Sequence, residues 1–125
     1  MVSTDPAQMH KECDSWRTNL RSFRSDFNQL REQLQQVAQN VTDQEVLMEV
    51  EHFHNQFYIQ LVNIHDLNHA LKIHEQKLSH DSRLSNGLHT DRSHEDHEGL
   101  SDRYQTLRET MSDLKDEFAY FANRI

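Results

Sequence analysis

The chain has 125 residues, of which 34 % are hydrophobic and 27 % charged, and it carries a net charge of −8. That charge argues against a nucleic-acid ligand and against docking on an anionic membrane, because both require a basic protein surface. No apolar run approaches the roughly 18 residues of a membrane span. No signal peptide is visible, and a single cysteine cannot form an intramolecular disulfide. We therefore expect a cytoplasmic protein that does not cross a membrane.

The first predicted helix covers about residues 6–39. Asp5 can cap its start, and Pro6 suits the first helical position, where its missing N–H costs nothing. Apolar residues then recur at alternating steps of four and three, a spacing that keeps one narrow helix face in register. This stripe consists of Met9, Cys13, Trp16, Leu20, Phe23, Phe27, Leu30, Leu34, Val37 and Val41.

The second predicted helix covers about residues 43–83. Its start resembles a capping box, in which Thr42 caps the helix and Glu45 reaches back to the cap. Its stripe contains Val46, Val50, Phe53, Phe57, Gln60, Ile64, Leu67, Leu71, His74 and Leu78. Gln60 either sets the register or the oligomer state as a buried polar residue, or reaches out from the edge of the stripe.

Apolar residues on this second helix also lie off the stripe, at Tyr58, Ile59 and Val62. A helix that is apolar on several sides requires burial on more than two of them. The sequence therefore predicts a homo-oligomer that associates through this part of the helix. The alternative is a thicker monomer core with the second helix at its centre.

The third predicted helix covers about residues 91–125, with Thr90 or Ser93 as its cap. Its stripe is His97, Leu100, Tyr104, Leu107, Met111, Leu114, Phe118, Phe121 and Ile125. Two glycines and one proline leave little room for the turns of a sheet. We expect one all-α domain: a long antiparallel three-helix bundle whose contacts follow coiled-coil-like heptads.

Two segments, VEHFHNQFYIQLVNIHDLNHALKIHE and DHEGLSDRYQTLRETMSDLKDEFAYFANRI, resemble small helical proteins of Bacteroidetes-type bacteria. The resemblance covers most of the second and third helices and lies in the pattern of residues, without a catalytic motif. It implies a bacterial cytosolic helical protein and no particular activity.

Ten histidines form the strongest chemical signal in the chain. Tight turns near residues 41–42 and 85–86 would bring His74 level with residue 9 and with His97 at one end of the bundle. The predicted metal ligands are therefore His74, His97 and His10, with Cys13, His94 and Glu98 as possible neighbours. Imidazoles with a thiolate suit Zn²⁺ or copper. The alternative is that these histidines only hydrogen-bond to one another, to Glu98 or to water.

Three functions follow from these features. The first is a non-enzymatic scaffold or protein-interaction module without a cofactor, with a protein partner as a further possibility. The second is a metal-binding bundle, and the third is a pH sensor based on histidine protonation. An enzyme is the least expected class, because the sequence offers no nucleophile with a matching base. His65 and His69 are four residues apart on one helix face, the spacing of a histidine pair that binds one metal ion. A di-iron bundle would also require ligands from the other helices, and the stripe of the first helix contains none.

Overall fold

The computed structural model describes residues 6–84 and 91–125, with side chains described at 7–80 and 93–125. Three helices make up this part of the chain: α1 (Pro6–Gln39), α2 (Gln44–Leu84) and α3 (Asp91–Arg124). The predicted all-α bundle is confirmed, and each observed helix boundary lies within one residue of the predicted one. α2 packs along both neighbours, whereas α1 and α3 make fewer close contacts with each other.

The turn between α1 and α2 corrects the predicted capping box. Asp43, not Thr42, caps α2: the Asp43 carboxylate accepts a hydrogen bond from the backbone N–H of Glu45 at 2.8 Å. The carbonyl of Asp43 accepts the N–H of Leu47 at 3.0 Å, which is the first bond of the helical ladder. Asp and Thr are both good caps, and only the path of the chain decides which one is used.

The predicted caps of the other two helices have different outcomes. Asp5 and Thr90 lie outside the described residues. Ser93 does not cap α3, because the helix already begins at Asp91. Ser93 is instead buried inside the first turns of α3.

The core coincides with the three predicted stripes. Among the side chains at 7–80 and 93–125, every buried residue is a stripe position except Ser93, and the remaining stripe residues are half-buried except Ile125. Ile125 is exposed, since it follows the last helical residue and no helix covers it. Cooperative burial of these faces, rather than the intrinsic helix propensity of each segment, supplies most of the stability.

The two ends of the core differ in chemistry. At one end, phenylalanine rings from all three helices pack edge-on or tilted, with centroids 5.1–5.9 Å apart: Phe27, Phe53, Phe57, Phe118 and Phe121. At the other end, the buried stripe positions hold a thiol, two imidazoles and an indole. None of the described helices contains a stretch long and apolar enough to cross a membrane.

Candidate metal centre

Each helix contributes one potential metal ligand to the polar end of the core. Cys13 lies on α1, His74 on α2 and His97 on α3, and all three side chains are buried. Their donor atoms lie within 4.8 Å of one another. We call these three residues the Cys-His-His cluster. Antiparallel packing is what brings them together, since they are distant in sequence but level along the bundle.

Two of the three distances within the cluster are close to those around a single metal ion, and the third, between Cys13 and His74, is at most 4.8 Å. Nε2 of His74 lies 3.0 Å from Nδ1 of His97, and Sγ of Cys13 lies 3.8 Å from the same nitrogen. Tetrahedral Zn²⁺ holds two nitrogens about 3.3 Å apart, and a nitrogen and a sulfur about 3.6 Å apart, given the usual bond lengths. The cluster therefore needs shifts of only a few tenths of an ångström along these two edges.

A carboxylate lies behind one of the imidazoles. Oε1 of Glu12 is 3.7 Å from Nε2 of His97, on the side of the ring away from Cys13 and His74. That oxygen is buried and, among the residues that the structure describes, has no hydrogen-bond partner. Histidines that bind metals commonly donate their second ring N–H to such a carboxylate, which fixes the tautomer and strengthens the ligand.

The electrostatics of the cluster disfavour a free thiolate and favour a bound cation. Burial and the negative charges of Glu75 and Glu12 together raise the pKa of the Cys13 thiol to about 12, against a smaller opposing effect of the Arg17 charge. Burial also lowers the pKa of His74 to about 4, with a contribution from His97. At neutral pH the metal-free site therefore holds a neutral thiol and, at His74, a neutral imidazole. The nearby carboxylates that oppose a thiolate would favour a bound divalent cation.

An aromatic stack supports the cluster from the side of the bundle centre. The Trp16 ring lies on the ring of His97, with centroids 5.0 Å apart, and on Tyr104 at 5.6 Å. Nδ2 of Asn19 donates a hydrogen bond to the Tyr104 hydroxyl at 2.8 Å. These contacts fix the orientation of His97 and exclude water from one side of the cluster.

The sequence prediction and the structure agree on some members of the site and differ on others. The structure brings His74 and His97 together and adds Cys13, which was predicted only as a neighbour. His10 is half-buried one turn before Cys13 and lies outside the close group. His94 and Glu98 pair with each other across one turn, at 3.2 Å.

Two residues of the site were missed as functional residues. Glu12 was not singled out, although it directly precedes the only cysteine. Trp16 was assigned to the core alone, which is correct for its burial but omits its stack on His97. The sequence feature that places Trp16 beside the cluster is its position one turn after Cys13 on the same stripe.

The other residues singled out from the sequence lie away from this cluster. Gln60 is buried and accepts a hydrogen bond from Asn63 at 3.4 Å, beside a cleft of about 400 Å³ between α2 and α3. Tyr58, Ile59 and Val62 are all exposed on the outer side of α2.

Comparisons of the chain with protein-family models, with curated proteins and with solved structures found no match.

Proposed function

We propose that this protein binds a soft transition-metal ion, with Zn²⁺ as the best fit, through Cys13, His74 and His97. The observation that carries the proposal is that each of the three helices supplies one buried, ligand-type side chain to a group only 4.8 Å across. A thiolate and two imidazoles are donors that select Zn²⁺ or copper over Mg²⁺ or Ca²⁺.

The ion would act as a link between the three helices. α1 and α3 make fewer close contacts with each other than either makes with α2, so bonds from Cys13 and His97 to one ion would add a direct link between these two helices. Metal binding in such a site is coupled to folding, because the unfolded chain does not assemble the ligands. This role agrees with the predicted non-enzymatic scaffold, and the ion would be structural.

A tetrahedral ion needs a fourth ligand besides the cluster. We assign this place to His10, which lies one turn before Cys13 on α1 and is half-buried. His10 is also near enough to His74 for a proton on its ring, when bound, to lower the pKa of His74. A change of side-chain rotamer would be required to bring its ring to the ion.

The first experiment is the metal content of the untagged protein, followed by titration of the metal-free protein with Zn²⁺. We expect one equivalent per chain and quenching or a shift of Trp16 fluorescence, because that ring stacks on His97. Co²⁺ substitution should give a thiolate-to-metal absorption band that is lost in Cys13→Ser.

Matched variants separate this site from the other histidines. His74→Ala and His97→Ala should each weaken binding by about a hundredfold or more, and Glu12→Gln by about tenfold. His65→Ala is the control, because His65 is exposed on α2. Equal Zn²⁺ affinity in wild type, Cys13→Ser and His74→Ala would refute the proposal. Copper in place of zinc in the protein as purified would correct the metal to copper.

A further inference from the structure

α2 carries a second heptad pattern on the side facing away from the bundle. Its apolar members are Met48, Ile59, Val62 and Ile73, whose exposed fractions are 69, 45, 39 and 40 %. His52, Asn55, Asp66 and His69 occupy the intervening positions of the same alternation of four and three, and all are exposed. We call these eight residues the outer face of α2. Such a repeat is the pattern by which one helix pairs with another.

We infer that the outer face of α2 pairs with the same face of a second copy of this chain, antiparallel, about a two-fold axis between residues 60 and 61. This register places Ile59 opposite the partner's Val62 and Met48 opposite the partner's Ile73. It equally places His52 opposite the partner's His69 and Asn55 opposite the partner's Asp66. Apolar residues thus meet apolar residues and polar residues meet polar ones at every level.

Charge at the edges of the face supports the same register. In an antiparallel pair of helices the residues that flank the seam on one side meet their counterparts from the partner. Here Glu51 would meet the partner's Lys72, and Tyr58 would meet the partner's His65, each twice by symmetry. Among the side chains that the structure describes, Glu51 and Lys72 enter no ion pair within the chain. Both are exposed and available for a partner.

A parallel pair would lose this complementarity. Each residue would then face its own copy, so that Asp66 would meet the partner's Asp66 and like charges would lie side by side. The antiparallel register, by contrast, uses residues 48–73 along one helix, about 37 Å at 1.5 Å per residue. The occupant that fits this face is therefore a second copy in one orientation.

The test is the mass in solution, measured by sedimentation in the presence of a metal chelator, so that bridging by metal ions is removed. We expect the wild-type mass to reach twice 14.9 kDa as the concentration rises to about 100 µM. Ile59→Asp should give a monomer of unchanged helical content, because Ile59 lies outside the core. Tyr120→Asp is the control, since Tyr120 is exposed on α3 and should leave the dimer intact.

Charge reversal tests the register. Glu51→Lys or Lys72→Glu alone should raise the dimer dissociation constant about tenfold, because each breaks two ion pairs and creates two like-charge contacts. The double variant should return within about threefold of wild type. A double variant as weak as the single ones would overturn the register.

Disulfide trapping tests the orientation. His52→Cys mixed with His69→Cys should give a cross-linked dimer, whereas His54→Cys mixed with His69→Cys should not. A cross-link formed by His52→Cys alone would show a parallel pair and overturn the inference. A monomer at every concentration, or a dimer that survives Ile59→Asp, would equally overturn it.

Discussion

The metal-free protein should lose stability as the pH falls, and His74 should account for a defined part of the loss. Its pKa is about 4 in the folded chain against an ordinary value of 6.5. Between these values the unfolded chain binds a proton at His74 that the folded chain does not bind, so protonation favours unfolding. The contribution is absent above pH 6.5, grows as the pH falls, and is complete below pH 4. At pH 4.5 it amounts to about 2.5 kcal/mol, at 1.36 kcal/mol per unit of pKa difference.

The assay is urea unfolding with a chelator at pH 7.5 and pH 4.5, comparing wild type with His74→Gln. Glutamine retains hydrogen-bonding atoms but does not titrate, so the difference between the two proteins reports the titration of His74 together with its coupling to His97. The free energy of unfolding of His74→Gln should fall by about 2.5 kcal/mol less than that of wild type over this range. His80→Gln, at an exposed position of α2, is the control and should follow wild type. Equal losses in wild type and His74→Gln would refute the reasoning.

Three further predictions concern the cap, the core and the metal. Asp43→Ala should destabilise the fold by about 1 kcal/mol and Thr42→Ala by less than half of that, since Asp43 caps α2; chemical denaturation measures both, and a larger loss in Thr42→Ala would restore the predicted capping box. Phe57→Ala should cost about 3–5 kcal/mol, because its ring is fully buried among phenylalanines and truncation leaves a cavity. Tyr120→Ala, at an exposed position, should shift the melting temperature little, and similar shifts in the two variants would contradict the observed core. The apparent Zn²⁺ association constant should rise by at least about tenfold per pH unit between pH 6 and 8, because binding displaces the proton of Cys13, whose pKa is about 12; calorimetry that shows no proton release would exclude the thiolate as a ligand.

The sequence alone determined the architecture, because the physical cause is local and repeated. A step of four and three residues defines one buried face per helix, and turn residues separate the three segments. The stripes therefore predicted the core almost residue by residue, and they already marked Gln60, His74 and His97 as polar groups at buried positions. Ile125 follows the period of its stripe but is exposed, because periodicity does not show where the neighbouring helices that cover a residue end.

Tertiary structure decided which of the ten histidines meet and what surrounds them. The turn arithmetic placed His74 and His97 in one layer within about a helical turn, but that tolerance could not choose between His10 and Cys13 as the third member. The choice depends on rotation of α1 about its axis and on side-chain direction, which follow from packing of all three helices at once. The same applies to Glu12 behind His97 and to the pKa of Cys13, since burial and distant charges act through space. Local periodicity fixed the faces of the helices, and only their packing fixed the chemistry at the end of the bundle.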